Sequence, residues 1–312
     1  MLVGHSLGGM AILAAAAQYP QMFEQRVAAC GAGDRSTVRL ASGEDGGFYF
    51  AFARLLAAAA ANDSDVIRIE PVETAGSQQN LRLLADGRVE TALALADSAG
   101  DNGGRVLALG RVYENYLQLA VRTDGPIRQV ADLRGRRVNL GAEGSGAAVT
   151  GPRLLASAGL DPAVDVIVEH RPLREAAQAL TDGAIDALLW AGGVPTGALA
   201  VPDRMRLLDL GALAEPMREQ YGPVYDLVAI PADAYPGSPA VHTIGVANLL
   251  LAAATLPDEA AAAIVELLVW HADELVPAEA AGTQFLDGRF LIGTGTVPLH
   301  PGAAQVYRRW HG

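Results

Sequence analysis

A chain of 312 residues is long enough for two lobes of about 150 residues each. With 51% apolar and 19% charged residues it can build a sizeable core, which excludes general disorder. Its net charge of −12, from 23 Lys and Arg against 35 Asp and Glu, leaves no basic stripe for phosphate and argues against a nucleic-acid partner. No continuous apolar run reaches the ~18 residues of a membrane span; the nearest, residues 244–256, is short and interrupted by Asn248. Alanine supplies much of the apolar excess, in helix-like stretches such as residues 55–61 and 249–254. The single cysteine, Cys30, excludes an internal disulfide, and the six histidines show no metal-ligand spacing, so neither a metal nor a cofactor is expected.

Residues 1–35 read as an atypical N-terminal segment. Gly4-His5-Ser6-Leu7-Gly8 fits G-x-S-x-G between a short apolar strand end and a helix running through Ala17. Residues 2–27 therefore resemble the nucleophile elbow of α/β hydrolases, which makes Ser6 the catalytic serine of an alternative hydrolase reading. In that fold the elbow follows a central strand, and an earlier loop supplies an oxyanion donor. Only three residues precede Gly4, so a fused or miscalled leader is the expectation here. Val27-Ala28-Ala29-Cys30 looks like a lipobox, with Cys30 as the lipidation candidate, but Glu24-Gln25-Arg26 interrupts the apolar run that an export signal needs. An intact signal peptide is not expected; the hydrolase-like piece reads as the replacement of an ancestral lipoprotein signal.

From Ser36 onward strands and helices alternate. A strand is predicted over 37–41, a helix over 48–61 and a half-buried strand over 66–72. Ser77 caps a helix that runs to Asp86 and stops at Gly87, and an apolar strand covers 91–96. A second unit begins near Gly125: a strand over 137–140, a helix preceded by Ser145 and running through Ala158, a strand over 164–170, a helix over 173–182 stopped by Gly183, and a strand over 185–190. Leu84-Ala85-Asp86-Gly87 and Leu180-Thr181-Asp182-Gly183 match between the units. Strand-like stretches 116–121 and 225–230 flank the second unit as two crossings, and a long helix over 257–274 returns the tail to the first lobe. The fold class expected is α/β, two-lobed, with a hinge and an interlobe cleft. Lobe 1 comprises 36–120 plus 226–312, and lobe 2 comprises 121–225.

Ordered matches run along this region: Ser42-Gly43 with Gly46-Gly47-Phe48-Tyr49, Gly76-Ser77 with Asn80-Leu81-Arg82, Tyr113-x-x-Tyr116, residues 130–138, Gly144-Ser145-Gly146, residues 191–195, Tyr235-Pro236-Gly237 and residues 297–302. On these, residues 36–312 resemble the TAXI-type solute-binding proteins of TRAP transporters. The resemblance implies a type II periplasmic-binding-protein-like fold and an extracytoplasmic receptor without catalysis. It further implies a small carboxylate or amino-acid-like solute, and TRAP membrane subunits as partners. A ligand-sensing module for a signalling partner is a further alternative, since the same lobes serve sensors.

Helix-opening loops are the expected chemistry, because unpaired N–H groups and the helix dipole receive carboxylate. They supply Ser42, Gly43, Glu44, Gly46, Ser77, Gly144, Ser145 and Gly146 as candidate contacts, with Asn80 from the matched helix. Each serine has an equally available role as a plain N-cap. Glu44 and Asp45 repel an anion unless they face solvent; a Glu44 turned into the cleft would instead bind an ammonium group. Tyr49, Tyr116 and Trp190 are candidate cleft walls, and Arg111 and Arg122 candidate carboxylate clamps if they are not simply exposed.

Overall fold

The computed structural model describes residues 35–100, 104–201, 203–277, 286 and 288–311; Ser6 and Cys30 lie outside them. In the first half, β1 (Ser36–Ala41), β2 (Ile67–Val72) and β3 (Thr91–Leu95) are joined through α1 (Phe48–Asp63) and α2 (Ser77–Ala85). The short α3 (Ala96–Ala99) follows, and then β4 (Val106–Arg122), a strand of 17 residues. The second half holds β5 (Arg137–Asn139), α4 (Ala147–Ser157), β6 (Ile167–Glu169), α5 (Leu173–Thr181), β7 (Ala187–Gly192), β8 (Met205–Leu207) and α6 (Ala214–Tyr221). After β9 (Tyr225–Ile230) and β10 (Val241–Ala253), α7 (Asp258–Trp270) and the C-terminal α8 (Pro301–His311) complete the chain.

The α/β expectation is met by a ten-stranded mixed sheet in the order β2-β1-β3-β10-β4-β7-β5-β6, with β8 on β4 and β9 on β10. Strands β1, β2 and β3 are parallel, as are β5, β6 and β7. Strands β4 and β10 run through both groups. Residues 106–116 of β4 pair with β10 and residues 116–121 with β7. β10 pairs with β9 over its first half and with β3 over its second.

Two pairs of apolar cores flank these crossing strands. In the first half Phe52, Leu56, Ile264, Leu268 and Tyr307 pack one face of the sheet, and Leu84, Val89, Leu251 and Val297 the other. In the second half Leu133, Val138, Leu154, Leu189 and Tyr225 form one core, and Leu173, Leu180, Leu188, Ile230 and Tyr235 the opposite one. Cores of this size are what the high apolar content supplies, at about 25 cal/mol per Å² of apolar surface removed from water.

Three sequence expectations need correction. Residues 249–254, read as helix-like, lie in β10 apart from Ala254, and Leu249, Leu250 and Leu251 are each at most 1% exposed. A strand covered on both faces is apolar without alternation, so its pattern cannot be told from that of a buried helix. Stretch 225–230 is a strand, but it pairs beside β10, and β10 is the second crossing. The strand expected over 164–170 shrinks to three residues, with Val164 78% exposed in the turn before it.

The α7–α8 packing is tight at one point. A Cβ at Gly302, in the first turn of α8, would lie 2.2 Å from the backbone oxygen of Asp258 and 2.9 Å from its carbonyl carbon. Backbone cannot give way as a side-chain tip can. Gly302→Ala is therefore expected to destabilise by about 1–3 kcal/mol, the usual magnitude of overpacking. Urea titration reads this as a lower midpoint at unchanged slope.

Candidate functional site

The loops at the carboxyl ends of β1, β2 and β5 meet over the crossing strands, where open α/β sheets place their ligands. They enclose a cavity of about 40 Å³, lined from the first half by Gly43, Glu44, Gly47, Phe48, Tyr49, Ala75, Gly76, Ser77 and Leu95. Ser145, Gly146, Ala147, Trp190, Ala191 and Gly192 line it from the second half, and Asn115 of β4 from the shared strand. That volume holds about three waters.

Two helices present their first turns here from opposite sides. In α2, the Gln79 N–H donates to the Gly144 carbonyl at 3.0 Å and the Asn80 N–H to Gly76 at 2.9 Å. The N–H groups of Ser77 and Gln78 are left at the open end of the helix. In α4, the Ala148 N–H donates to Ser145 Oγ at 3.2 Å and the Val149 N–H to Gly146 at 2.9 Å, leaving those of Gly146 and Ala147. Both ends carry positive partial charge and favour an anion between them.

The acceptors sit elsewhere on the same wall. Glu44 Oε2 accepts from the Leu173 N–H at 2.9 Å, whereas Glu44 Oε1 is buried with no hydrogen-bond partner. Burial pushes the Glu44 carboxyl above its ordinary range; the Leu173 N–H opposes this, and the charges of Glu175 and Glu73 add to it. Asn115, 3% exposed, donates through Nδ2 to the Ala191 carbonyl at 3.1 Å, which fixes its amide and leaves Oδ1 buried without a partner.

The predicted residues divide into two sets. Gly43, Glu44, Tyr49, Ser77, Ser145, Gly146 and Trp190 come together on the cavity. Their hydroxyl and indole donors are largely engaged within the protein, however. Tyr49 donates to Asn248 Oδ1, Ser77 Oγ lies 3.3 Å from the Tyr49 hydroxyl and accepts from the Leu95 N–H at 3.1 Å, and the Trp190 indole donates to Thr196 Oγ1 at 3.1 Å. Trp190 therefore offers the cavity an aromatic wall rather than a donor.

Ser42, Gly46, Asn80, Tyr116 and Gly144 do not line the cavity. Ser42 Oγ donates to the Val72 carbonyl at 2.8 Å. Asn80, fully buried, donates to the Ser42 and Leu93 carbonyls and so ties α2 to β1 and β3. Gly46 is exposed beside the Arg174 guanidinium, and Gly144 serves through its carbonyl. Tyr116 is the residue of β4 that pairs with both Gly245 and Gly192, at the crossover between the halves.

Neither arginine expected as a clamp lines the cavity. Arg111 bonds Glu114 at 3.4 Å, and Arg122 donates to the Ile185 carbonyl at 3.1 Å. Sequence reading missed Asn115, Leu95, Phe48 and the Ala191-Gly192 backbone. Asn115 stands in β4 among other polar residues, Arg111, Glu114 and Gln118, so no signal in the sequence set it apart.

Further contacts join the halves beside the cavity. Asp97 of α3, its side chain fully buried, accepts at Oδ2 from Thr150 Oγ1 at 2.6 Å and from the Tyr225 hydroxyl at 3.0 Å. Arg153 of α4 lies 3.5 Å from the same oxygen and donates to the Asp97 carbonyl at 3.2 Å. Among the described residues, no three His, Cys, Asp or Glu side chains group as a metal site, and no helix is long and apolar enough to cross a membrane.

Solved structures similar to this chain are distant in sequence. The periplasmic aliphatic sulphonate binding protein of Escherichia coli is 17% identical over 88% of this chain and 84% of its own, with a TM-score of 0.47. A ligand-binding component of an ABC-type import system from Staphylococcus aureus, with zinc bound, is 12% identical over 89% and 92%, at 0.49. A ligand-binding core from Nostoc punctiforme in complex with L-glutamate is 16% identical over 74% and 92%, at 0.44. A family match runs over residues 40–309, beginning downstream of the hydrolase-like segment, and on it this protein belongs to the NMT1-like family.

Proposed function

We propose that this chain is an extracytoplasmic solute-binding receptor, without catalysis of its own, that closes two lobes on a small carboxylate-bearing, amino-acid-like solute. The observation that carries the reading is the cavity itself. Two helix N-termini from opposite halves supply main-chain donors for a carboxylate, and unpartnered acceptors stand on the same wall. The lobes are taken as 36–120 plus 226–312 and 121–225, with the crossing strands as hinge. The ordered matches over 36–312 support TRAP-type membrane subunits as the partner that receives the solute. The ligand contacts proposed are the main-chain groups of Ser77 and Gly146, the Ser145 hydroxyl, and the Glu44 and Asn115 oxygens, with Tyr49 and Trp190 as walls.

A thermal-shift screen of small carboxylates and α-amino acids tests this. A solute at about 100 times its Kd adds about 2.7 kcal/mol to stability. In a domain of this size that corresponds to a rise of roughly 5–10 °C. Absence of a shift for every acid in the screen would overturn the assignment of solute class.

A further inference from the structure

We propose that Glu44 couples recognition of a nitrogen-bearing solute to closure of the two halves, one carboxylate oxygen serving each task. The proposal rests on the solute-binding reading above and adds a specificity and positioning role to one residue of that site. Glu44 stands in the loop between β1 and α1, in the first half. Its Oε2 reaches across to the N–H of Leu173, the first residue of α5 in the second half, 129 positions along the chain. A carboxylate on the first turn of a helix is held by both the free N–H and the dipole, so this contact favours the closed arrangement.

The other oxygen has no such partner. Glu44 Oε1 and Asn115 Oδ1 are both buried, both acceptors, both unpartnered, and both belong to residues lining the cavity. Buried acceptors require donors. The solute group that meets them carries N–H, and against a carboxylate a cationic ammonium is preferred to a neutral amide. An acid lacking that nitrogen would instead leave both oxygens unmet. Pairing of Oε1 keeps Glu44 ionised, and the ionised form is the stronger cap on α5. Solute charge and lobe closure thus meet in one side chain.

Two variants separate the tasks. In Glu44→Gln the amide oxygen still accepts from Leu173, while the amide NH₂ replaces the unpartnered acceptor. Glu44→Ala removes both. The probes are α-amino acids paired with their desamino acids: L-alanine with propionate, L-glutamate with glutarate, and L-leucine with 4-methylpentanoate. Affinities are read by calorimetry, closure by X-ray scattering of the ligand-free chain, and folding by near-ultraviolet circular dichroism.

The parent chain is expected to prefer the amino member of the binding pair by about 10- to 100-fold, the magnitude of one charge-assisted hydrogen bond. Glu44→Gln should lose that preference and keep the parent's radius of gyration, and Glu44→Ala should show a larger radius. A Glu44→Gln chain that still prefers the amino acid overturns the specificity role, and an unchanged radius in Glu44→Ala overturns the latch. If no member of any pair binds the parent chain, the solute-class reading fails and the specificity role with it, while scattering still decides the latch.

Discussion

Asp97→Ala is expected to melt about 6–12 °C below the parent chain, a loss of about 3 kcal/mol for a buried charge network deprived of its centre. The reason is the number of groups that depend on this carboxylate. Thr150, Tyr225 and Arg153 all aim donors at it from the second half and from β9, and Ser98 adds a hydrogen bond at 3.2 Å to Oδ1. Thr150 has a second acceptor in the Gly146 carbonyl at 3.2 Å, and Arg153, whose side chain is 30% exposed, can turn toward water. Tyr225 is fully buried and has no such escape. The low end of the range for a broken buried pair therefore applies.

Asp97→Asn separates charge from hydrogen bonding. An amide oxygen in the place of Oδ2 still accepts from Thr150 and Tyr225, and the NH₂ can donate to Ser98. Burial pushes the Asp97 carboxyl above its ordinary range, against the opposing hydrogen bond from Thr150, the charge of Arg153 and the hydrogen bonds from Tyr225 and Ser98. For a carboxyl raised in the folded state, the associated stability is complete below the unfolded pKa and is lost as pH rises through the folded one. The parent chain should therefore lose stability relative to Asp97→Asn as pH rises from about 4 toward neutrality. Melting curves of both proteins across that window check the sign; a parent chain that gains stability relative to Asp97→Asn as pH rises would mean that the pairing outweighs burial.

How far the sequence reveals this site depends on the range of the forces involved. Gly87 and Gly183 were legible as helix stops because a glycine C-cap is a local device. In the structure both adopt positive φ, at +66° and +74°, and both are followed by the same closing bond, Arg88 N–H to Leu83 and Ala184 N–H to Ala179. The loops at Gly43, Gly76 and Gly146 were legible for the same reason. β10 was not, since a strand covered on both faces loses the alternation that marks a strand. The direction of Glu44 was equally hidden: what turns it inward is an N–H at position 173, brought near only by the fold. Arg111 and Arg122 were attractive as clamps by residue type, but charge on a strand next to acidic neighbours finds those neighbours first, and both pair locally.

Gly146→Ala is expected to weaken solute binding by roughly 30-fold, equivalent to about 2 kcal/mol of overpacking, with each half remaining folded. Gly146 sits at φ −68°, ψ −37°, a helical conformation that alanine adopts readily and in which glycine is the less stable residue. The three atoms nearest to an added methyl group all belong to the other half. The obstruction comes from across the cavity, where an added Cβ would lie 2.5 Å from Leu95 Cδ1 and 2.8 Å from Ser77 Oγ. The leucine tip can rotate, but the serine oxygen is held by the Leu95 N–H and lies against the Tyr49 hydroxyl, so it cannot retreat without breaking that network. The methyl group therefore acts as a wedge between the halves: it leaves each half folded and opposes only their approach. Scattering should show a larger radius of gyration for the ligand-free variant, and calorimetry with a solute identified by the screen should show the affinity loss. If binding and radius both match the parent chain, the halves do not need to come this close to hold a solute, and closure over the facing helix ends is not how the site works.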